Sequence, residues 1–113
     1  MTTTATGRRA ETVAAAFLQA KGCEVLAQNW RTRWCEIDVV ASRDGVAYFC
    51  EVKYRARDTQ GTGLEYITER KLRQMRFAAE FWVATHHWPG EYQLCAIEVS
   101  GLQFQITAVI KDL

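Results

Sequence analysis

The sequence has 113 residues, of which 49% are hydrophobic and 24% charged, and its formal net charge is +1 at pH 7. These values exclude a disordered chain and predict a single domain, residues 1–113, folded around one core. No apolar run approaches the ~18 residues that cross a bilayer, and the polar start lacks the apolar stretch of a signal peptide. We therefore expect a cytoplasmic protein in which residues 1–6 form a flexible tail.

The first half of the chain predicts one helix followed by three strands. Apolar residues recur at helical spacing from Ala10 to Leu18, and Gly22 lies where a left-handed C-terminal cap is expected. Asp44-Gly45 is typical of a two-residue β-hairpin turn, so the segments on either side of it should pair. The three strands are predicted at residues 25–30, 36–41 and 46–54.

The second half predicts a loop, a helix and two more strands. Residues 57–63 have two glycines and no periodicity, which indicates a mobile loop. Thr68 can cap a second helix, which ends before Pro89-Gly90. Strands are predicted at residues 92–99 and 102–110, with a tight turn at Ser100-Gly101 between them. The order αβββαββ therefore predicts an α/β domain, a mixed β-sheet flanked by helices.

The four cysteines, Cys23, Cys35, Cys50 and Cys95, contain no C-x-x-C pair. They fall in segments with strand character and are widely separated along the chain. This pattern favours buried free thiols over a disulfide or a zinc site.

The predicted hairpin contains the charged residues that form the candidate functional site. A two-residue turn pairs Arg43 with Val46 and places Asp38 opposite Glu51, and Glu36 opposite Lys53. Directly opposed side chains have Cβ atoms about 4.5–5.5 Å apart, so the two acids would repel each other. A bound cation would remove that conflict.

Magnesium or manganese suits such a pair, because hard cations take one or two carboxylates and fill their other positions with water and phosphate oxygens. The backbone carbonyl of Val52 could supply a further oxygen. Lys53 shares the face of Glu51, since strand side chains alternate, and its ammonium could orient an attacking water. The alternative is a solvated hairpin face whose charges neutralise one another. A three-residue turn would also shift the register and reverse the faces.

The pattern of Asp38 in E-I-D followed by Glu51-Val52-Lys53 resembles the signature of the PD-(D/E)XK nuclease superfamily. The whole chain looks like the bacterial YraN-type family within it. The matching positions are Gly7, Ala10-Glu11, Ala14-Ala15, Asn29, Arg31, residues 35–38, residues 51–55, Gly61, Lys71 and Ala78-Ala79. Cys35 replaces the glycine usual before E-I-D, and residues 93–95 lack the usual arginine and aspartate.

This resemblance implies a restriction-endonuclease-like fold in which Asp38 and Glu51 bind the metal and Lys53 is the catalytic lysine. Glu11 matches a helix-one glutamate that approaches the metal in such folds. A helix-start glutamate favoured by the helix dipole is the equal alternative. The resemblance also marks Lys71 as a substrate or site residue.

Basic residues form three clusters in the sequence, and the net charge leaves nucleic-acid binding to such local patches. Arg31 and Arg33 alternate with tryptophans, and Arg55 follows Lys53, so both clusters adjoin the predicted site. The third cluster, which includes Lys71, lies on the second helix. Solvated faces are the alternative for each.

We therefore expect a magnesium- or manganese-dependent endonuclease acting on DNA, including branched or single-stranded DNA, with no membrane partner and with a homodimer left open. A non-catalytic nucleic-acid-binding module and a protein-interaction adaptor are the alternatives.

Overall fold

The computed structural model describes residues 3–56 and 67–113, so the loop predicted at residues 57–63 lies outside the described residues. The described elements follow the predicted order αβββαββ. They are α1 (Thr3–Ala20), β1 (Glu24–Arg31), β2 (Glu36–Arg43), β3 (Val46–Arg55), α2 (Glu69–His86), β4 (Glu91–Ser100) and β5 (Gln105–Ile110). Neither described helix is long and apolar enough to cross a membrane.

The five strands form one mixed sheet in the spatial order β1-β2-β3-β4-β5. Only β3 and β4 run parallel, and every other neighbouring pair is antiparallel. A parallel pair needs a crossover connection, and α2 lies in the connection between β3 and β4. The predicted α/β fold is therefore confirmed, and it is consistent with a restriction-endonuclease-like architecture.

The hairpin turn between β2 and β3 has the predicted form. Asp44 has φ 51° and Gly45 has φ 81°, the two positive values that a type I′ turn requires. Five residue pairs follow in the predicted register, from Arg43–Val46 to Val39–Cys50. Gly90 passes so close to the turn that a Cβ there would strike the carbonyl of Gly45. The hairpin and the start of β4 are therefore held together by backbone contact.

Helix α1 packs on one face of the sheet through small side chains. Ala10, Ala14, Ala15 and Leu18 are buried against residues of the central strands, and Gly22 with φ 91° ends the turn that follows. The helix begins at Thr3, within the segment 1–6 that was predicted as a tail. Apolar periodicity starts only at Ala10, and the preceding polar turn therefore carried no helical signal.

Helix α2 covers the opposite face. The Thr68 side chain accepts a hydrogen bond from the Lys71 amide at 3.1 Å, as expected of an N-cap. The helix ends before His87, whose φ of 51° makes it a left-handed C-terminal cap. The residues that it buries are Met75, Ala78, Ala79 and Trp82.

The turn between β4 and β5 is longer than predicted. Instead of a tight Ser100-Gly101 turn, residues 101–104 form the connection. Phe104, with φ 52°, turns inward, is only 7% exposed and stacks on Tyr54 at 4.7 Å between ring centroids. Burial of this ring moves the start of the last strand to Gln105.

Candidate active site

The candidate site lies where β2 and β3 part. Their ladder ends at the pair Val39–Cys50, and although all four residues are described, the predicted pairs Asp38–Glu51 and Glu36–Lys53 are not part of it. The Asp38 carboxylate instead accepts a hydrogen bond from the Val52 amide at 2.7 Å. A side chain thus replaces the backbone acceptor that a continued ladder would offer.

The alternation of side chains along β2 breaks at the same point. Ile37 and Val40 both belong to the core on the α2 side, whereas Val39 and Ala41 belong to the core on the α1 side. Residues three apart cannot share a face of a regular strand. Asp38 therefore occupies an irregular position, and its carboxylate is turned towards β3.

Acidic side chains converge on Asp38 from three elements. Burial raises the pKa of Asp38 from 3.8 to about 7, and the negative charges of Glu51, Glu11 and Glu36 add to that effect. Glu11 comes from α1 and shares a hydrogen bond with Asp38, while burial raises its own pKa. The helix-one glutamate therefore does reach the acidic cluster.

A lysine from α2 meets this cluster on the other side. The Lys71 Nζ atom lies 3.0 Å from the Glu51 Oε2 atom, and the two side chains are 31% and 23% exposed. Lys71 lies in the first turn of α2, three residues after the Thr68 cap. The cap therefore fixes the helical turn that places the Lys71 ammonium beside Glu51.

Val52 and Lys53 complete the predicted motif. The N–H and C=O of one strand residue point to the same side, so the Val52 carbonyl points towards the gap left by β2. Lys53 is exposed and stands two residues beyond Glu51, on the same face of β3.

Oxygen donors are the ligands that this cluster offers. Within residues 3–56 and 67–113 no group of three His, Cys, Asp or Glu side chains could hold a metal ion. Two carboxylates, Asp38 and Glu51, with the Val52 carbonyl match the ligand set of a magnesium ion, which retains waters, but not that of a closed zinc site.

The predicted nucleic-acid residues have different surroundings. Arg31 forms an exposed ion pair with Glu36 at 3.6 Å, and the Arg33 guanidinium lies 5.3 Å from the centroid of the Trp34 ring. The Arg55 Nε atom lies 2.9 Å from Glu98 Oε2, so this arginine is engaged within the fold.

Glu98 is a residue that sequence reasoning missed. It is 6% exposed, and its Oε1 atom accepts a 2.8 Å hydrogen bond from the Thr107 hydroxyl. Lys53 is its neighbour across the parallel β3–β4 pair. In the sequence, Glu98 alternates with Ile97 and Val99, a pattern typical of an exposed strand position. Thr107 reaches Glu98 because the facing strand β5 has a bulge at this point.

A cleft of about 530 Å³ opens beside Glu51, between α2 and the connection from β1 to β2. The Lys71–Glu51 ion pair and two exposed aromatic rings, Trp34 and Phe77, are among its lining residues. The cleft is lined by Trp34, Cys35, Glu36, Glu51, Arg70, Lys71, Arg73, Gln74, Met75 and Phe77.

The chain matches the model of a protein family described as uncharacterised protein family UPF0102, over residues 10–109. It belongs to the UPF0102 family. The matched range contains every residue of the acidic cluster, together with Lys53 and Lys71.

Similar proteins of the UPF0102 family come from several organisms. The chain is 45% identical over 83 residues to a UPF0102 protein of Parafrankia, which covers 74% of this chain and 70% of that one. It is 40% identical over 94 residues to a UPF0102 protein of Leifsonia xyli, with 82% and 80% covered. For a UPF0102 protein of Roseiflexus castenholzii the identity is 36%, with 92% and 91% covered. The similarity therefore extends over nearly the whole domain.

Proposed function

We propose that this protein is a metal-dependent endonuclease that hydrolyses phosphodiester bonds in DNA in the cytoplasm. The observation that carries the proposal is that the negative charges of Glu51 and Glu11, from two other elements, act on Asp38 at the end of a ladder. Like charges placed together raise the free energy of the fold, and a fold without a function for them would be more stable with one replaced. A cation bound by these carboxylates during catalysis would offset their repulsion and explain why they lie together.

The donor set favours Mg²⁺ or Mn²⁺. Asp38 and Glu51 would hold the ion with the Val52 carbonyl, and Glu11 is placed to support Asp38. When bound, the ion would supply positive charge for a phosphate oxygen and acidify a water ligand.

The remaining roles fall to two lysines. Lys53 would hold the attacking water and stabilise the negative charge that develops on the phosphoryl oxygens. The water oxygen loses a proton to solvent and forms a new bond to phosphorus, one ester P–O bond breaks, and the departing oxygen takes up a proton from solvent. Lys71 pairs with Glu51 before substrate binds, and would contact a phosphate once the cation neutralises that acid.

A nicking assay tests the proposal. Purified protein with Mg²⁺ or Mn²⁺ should nick supercoiled plasmid or cut branched or single-stranded oligonucleotides, and Asp38→Ala and Lys53→Ala should each abolish the activity. Asp44→Asn is the matched control, because this exposed turn residue tolerates asparagine and should leave the activity unchanged. Full activity in either site variant would overturn the assignment.

The Lys71–Glu51 ion pair favours a second function, a non-catalytic nucleic-acid-binding module of the same fold. A lysine within hydrogen-bond distance already neutralises one of the two acids, so the cluster can persist without a metal ion. Calorimetric titration separates the two functions. Binding of Mn²⁺ to the wild type but not to Asp38→Asn supports the enzyme, whereas no binding with or without DNA leaves the binding module.

A further inference from the structure

We propose that the cleft beside Glu51 binds an unpaired nucleotide of single-stranded DNA, whose base stacks on Trp34 and Phe77. This inference rests on the proposed function for the identity of the polymer and extends it to the form of the substrate. The observations that carry it are two exposed aromatic rings and three basic side chains that line one cleft with Glu51.

The aromatic rings form a continuous ridge along the cleft. Trp34 is 66% exposed and Phe77 is 53% exposed, although both are large apolar residues. Phe81 joins them, with its ring centroid 5.8 Å from that of Trp34 and 6.1 Å from that of Phe77. Exposed apolar rings that pack on one another but remain open to solvent are typical of a binding surface.

The charges in the cleft identify the occupant as an anionic polymer. Arg70, Lys71 and Arg73 line the same cleft, and Arg33 brings a further guanidinium over the Trp34 ring. Two acids also line the cleft, and each is paired with a basic side chain, Glu36 with Arg31 and Glu51 with Lys71. Positive side chains beside aromatic rings are the combination that single-stranded nucleic acids bind, through phosphate contacts and base stacking.

Distances along α2 place both contacts on one strand of DNA. Lys71 and Phe77 are six positions apart, which corresponds to about 9 Å along a helix. Even a stacked strand covers that length within about three nucleotides. A phosphate beside Glu51 and a base beside Phe77 would therefore belong to the same short stretch.

The form of the surface selects unpaired over paired DNA. Bases of a duplex present only their edges in the grooves, and their faces are covered by neighbouring base pairs. Trp34 and Phe77 line a concave cleft, where only a base freed from its partner could place its face against a ring. The rings would then favour single-stranded segments, flaps or loops over continuous duplex.

Fluorescence anisotropy with a labelled single-stranded DNA of mixed sequence tests this in EDTA, so that cleavage cannot occur. The wild type should bind this oligonucleotide more tightly than its duplex form or an RNA of the same sequence. Trp34→Ala should weaken single-strand binding about 5- to 150-fold, the range that loss of one stacked base implies, while Trp34→Phe should restore most of it. Arg73→Gln should also weaken binding.

Two control variants match these changes. Arg76→Gln removes the same charge from an exposed position of α2 outside the cleft, and Leu102→Ala removes an apolar side chain that is 91% exposed at the β4–β5 turn. Both should bind as the wild type does. Equal losses in Arg73→Gln and Arg76→Gln would indicate general charge attraction and would overturn the cleft assignment.

Other outcomes separate this inference from the proposed function. Binding to single strands with the Trp34 dependence, but without cleavage when Mg²⁺ or Mn²⁺ is added, would refute the nuclease and retain the cleft. Cleavage that Trp34→Ala leaves unchanged, on duplex and single strand alike, would refute the cleft and retain the nuclease. A dimer in sedimentation that Trp34→Ala disperses, without single-strand preference, would make the ridge a protein interface and overturn the inference. RNA bound more tightly than DNA would overturn the choice of polymer.

Discussion

The two faces of the sheet are closed in different ways around the same acidic cluster. On the α1 face, small residues such as Ala10 and Ala14 bring the helix close, and a cavity of about 220 Å³ remains that three thiols help to line. Two of these thiols, Cys50 and Cys95, are direct neighbours across β3 and β4. Their hydrogen bond raises the pKa of Cys50.

On the α2 face the opposite arrangement holds. Large side chains, Met75 and Trp82 among them, pack over the middle of the sheet, and near the first turn of the helix the cleft of about 530 Å³ stays open. Two acids, Glu36 and Glu51, line this cleft, whereas the charged residues among those lining the other cavity are all basic. Asp38, which is half-buried, contacts Glu11 of α1, and Glu51 lines the open cleft, so the acidic cluster reaches both faces.

The largest expected effect concerns the packing of the α2 face. Trp82 is 4% exposed and lies edge-on to Phe49, with 5.5 Å between ring centroids. Trp82→Ala should lower the free energy of unfolding by about 3–5 kcal/mol, because a large core ring leaves a cavity. Urea unfolding measures this. Phe77→Ala, which removes an exposed ring of the same helix, should change stability by less than about 0.5 kcal/mol. Similar losses would mean that the open cleft is part of the core.

Overpacking tests the close contact of the α1 face. Ala14 is 0% exposed, so Ala14→Leu should cost about 1–3 kcal/mol in the free energy of unfolding. The control is Ala16→Leu, two positions along the same helix but exposed, which should be nearly neutral. If both variants unfold at the same urea concentration, α1 can move away from the sheet and the contrast between the faces fails.

Removal of the Asp38 carboxylate charge should have a smaller, pH-dependent effect on the free energy of unfolding. The pKa of Asp38 is raised to about 7 by burial and by Glu51. The unfolded chain therefore releases the proton first, and the metal-free protein loses stability as pH rises from about 4 to 7. Asp38→Asn keeps an oxygen for the Val52 amide and removes the charge.

The variant should match the wild type near pH 4 and exceed it by about 1–2 kcal/mol at pH 8, a value reduced for solvent screening. Thermal unfolding in EDTA measures the difference. Asp44→Asn, at a side chain that is 88% exposed, should show no such pH dependence. A wild type that becomes more stable than Asp38→Asn as pH rises would have the opposite sign and contradict the origin of the pKa shift.

Most of the fold could be predicted because turns and caps act through neighbouring residues. Asp44-Gly45 specifies a type I′ turn, and Thr68 caps α2 with its own side chain, so both signals are complete within a few positions. The turn before β5 was misjudged because Phe104 is buried against Tyr54, a residue far away in sequence. Tertiary burial of one ring overrode the local alternation there.

The candidate site could be predicted only in part, for the same reason. The hairpin register predicted that Asp38 lies opposite Glu51, but β2 and β3 separate before these two residues pair. The hydrogen bond from Val52 and the ion pair from Lys71 replace the expected cross-strand contact. Glu98 was not predicted, because its partners Arg55 and Thr107 lie on two other strands. Contacts between elements, which a pattern within one element does not encode, determine these features.

The smallest expected effect concerns the turn that carries Lys71 into the open face. Thr68→Ala removes the acceptor of the Lys71 amide and should lower the free energy of unfolding by about 1 kcal/mol, whereas Thr68→Ser should retain it. Thr85→Ala makes the same change within the helix, away from its start, and serves as the control. Amide hydrogen exchange should accelerate at Lys71 in Thr68→Ala and stay unchanged in the β2–β3 hairpin. Accelerated exchange in both places would mean that the first turn of α2 and the β2–β3 hairpin unfold together, and would contradict a local effect of the cap.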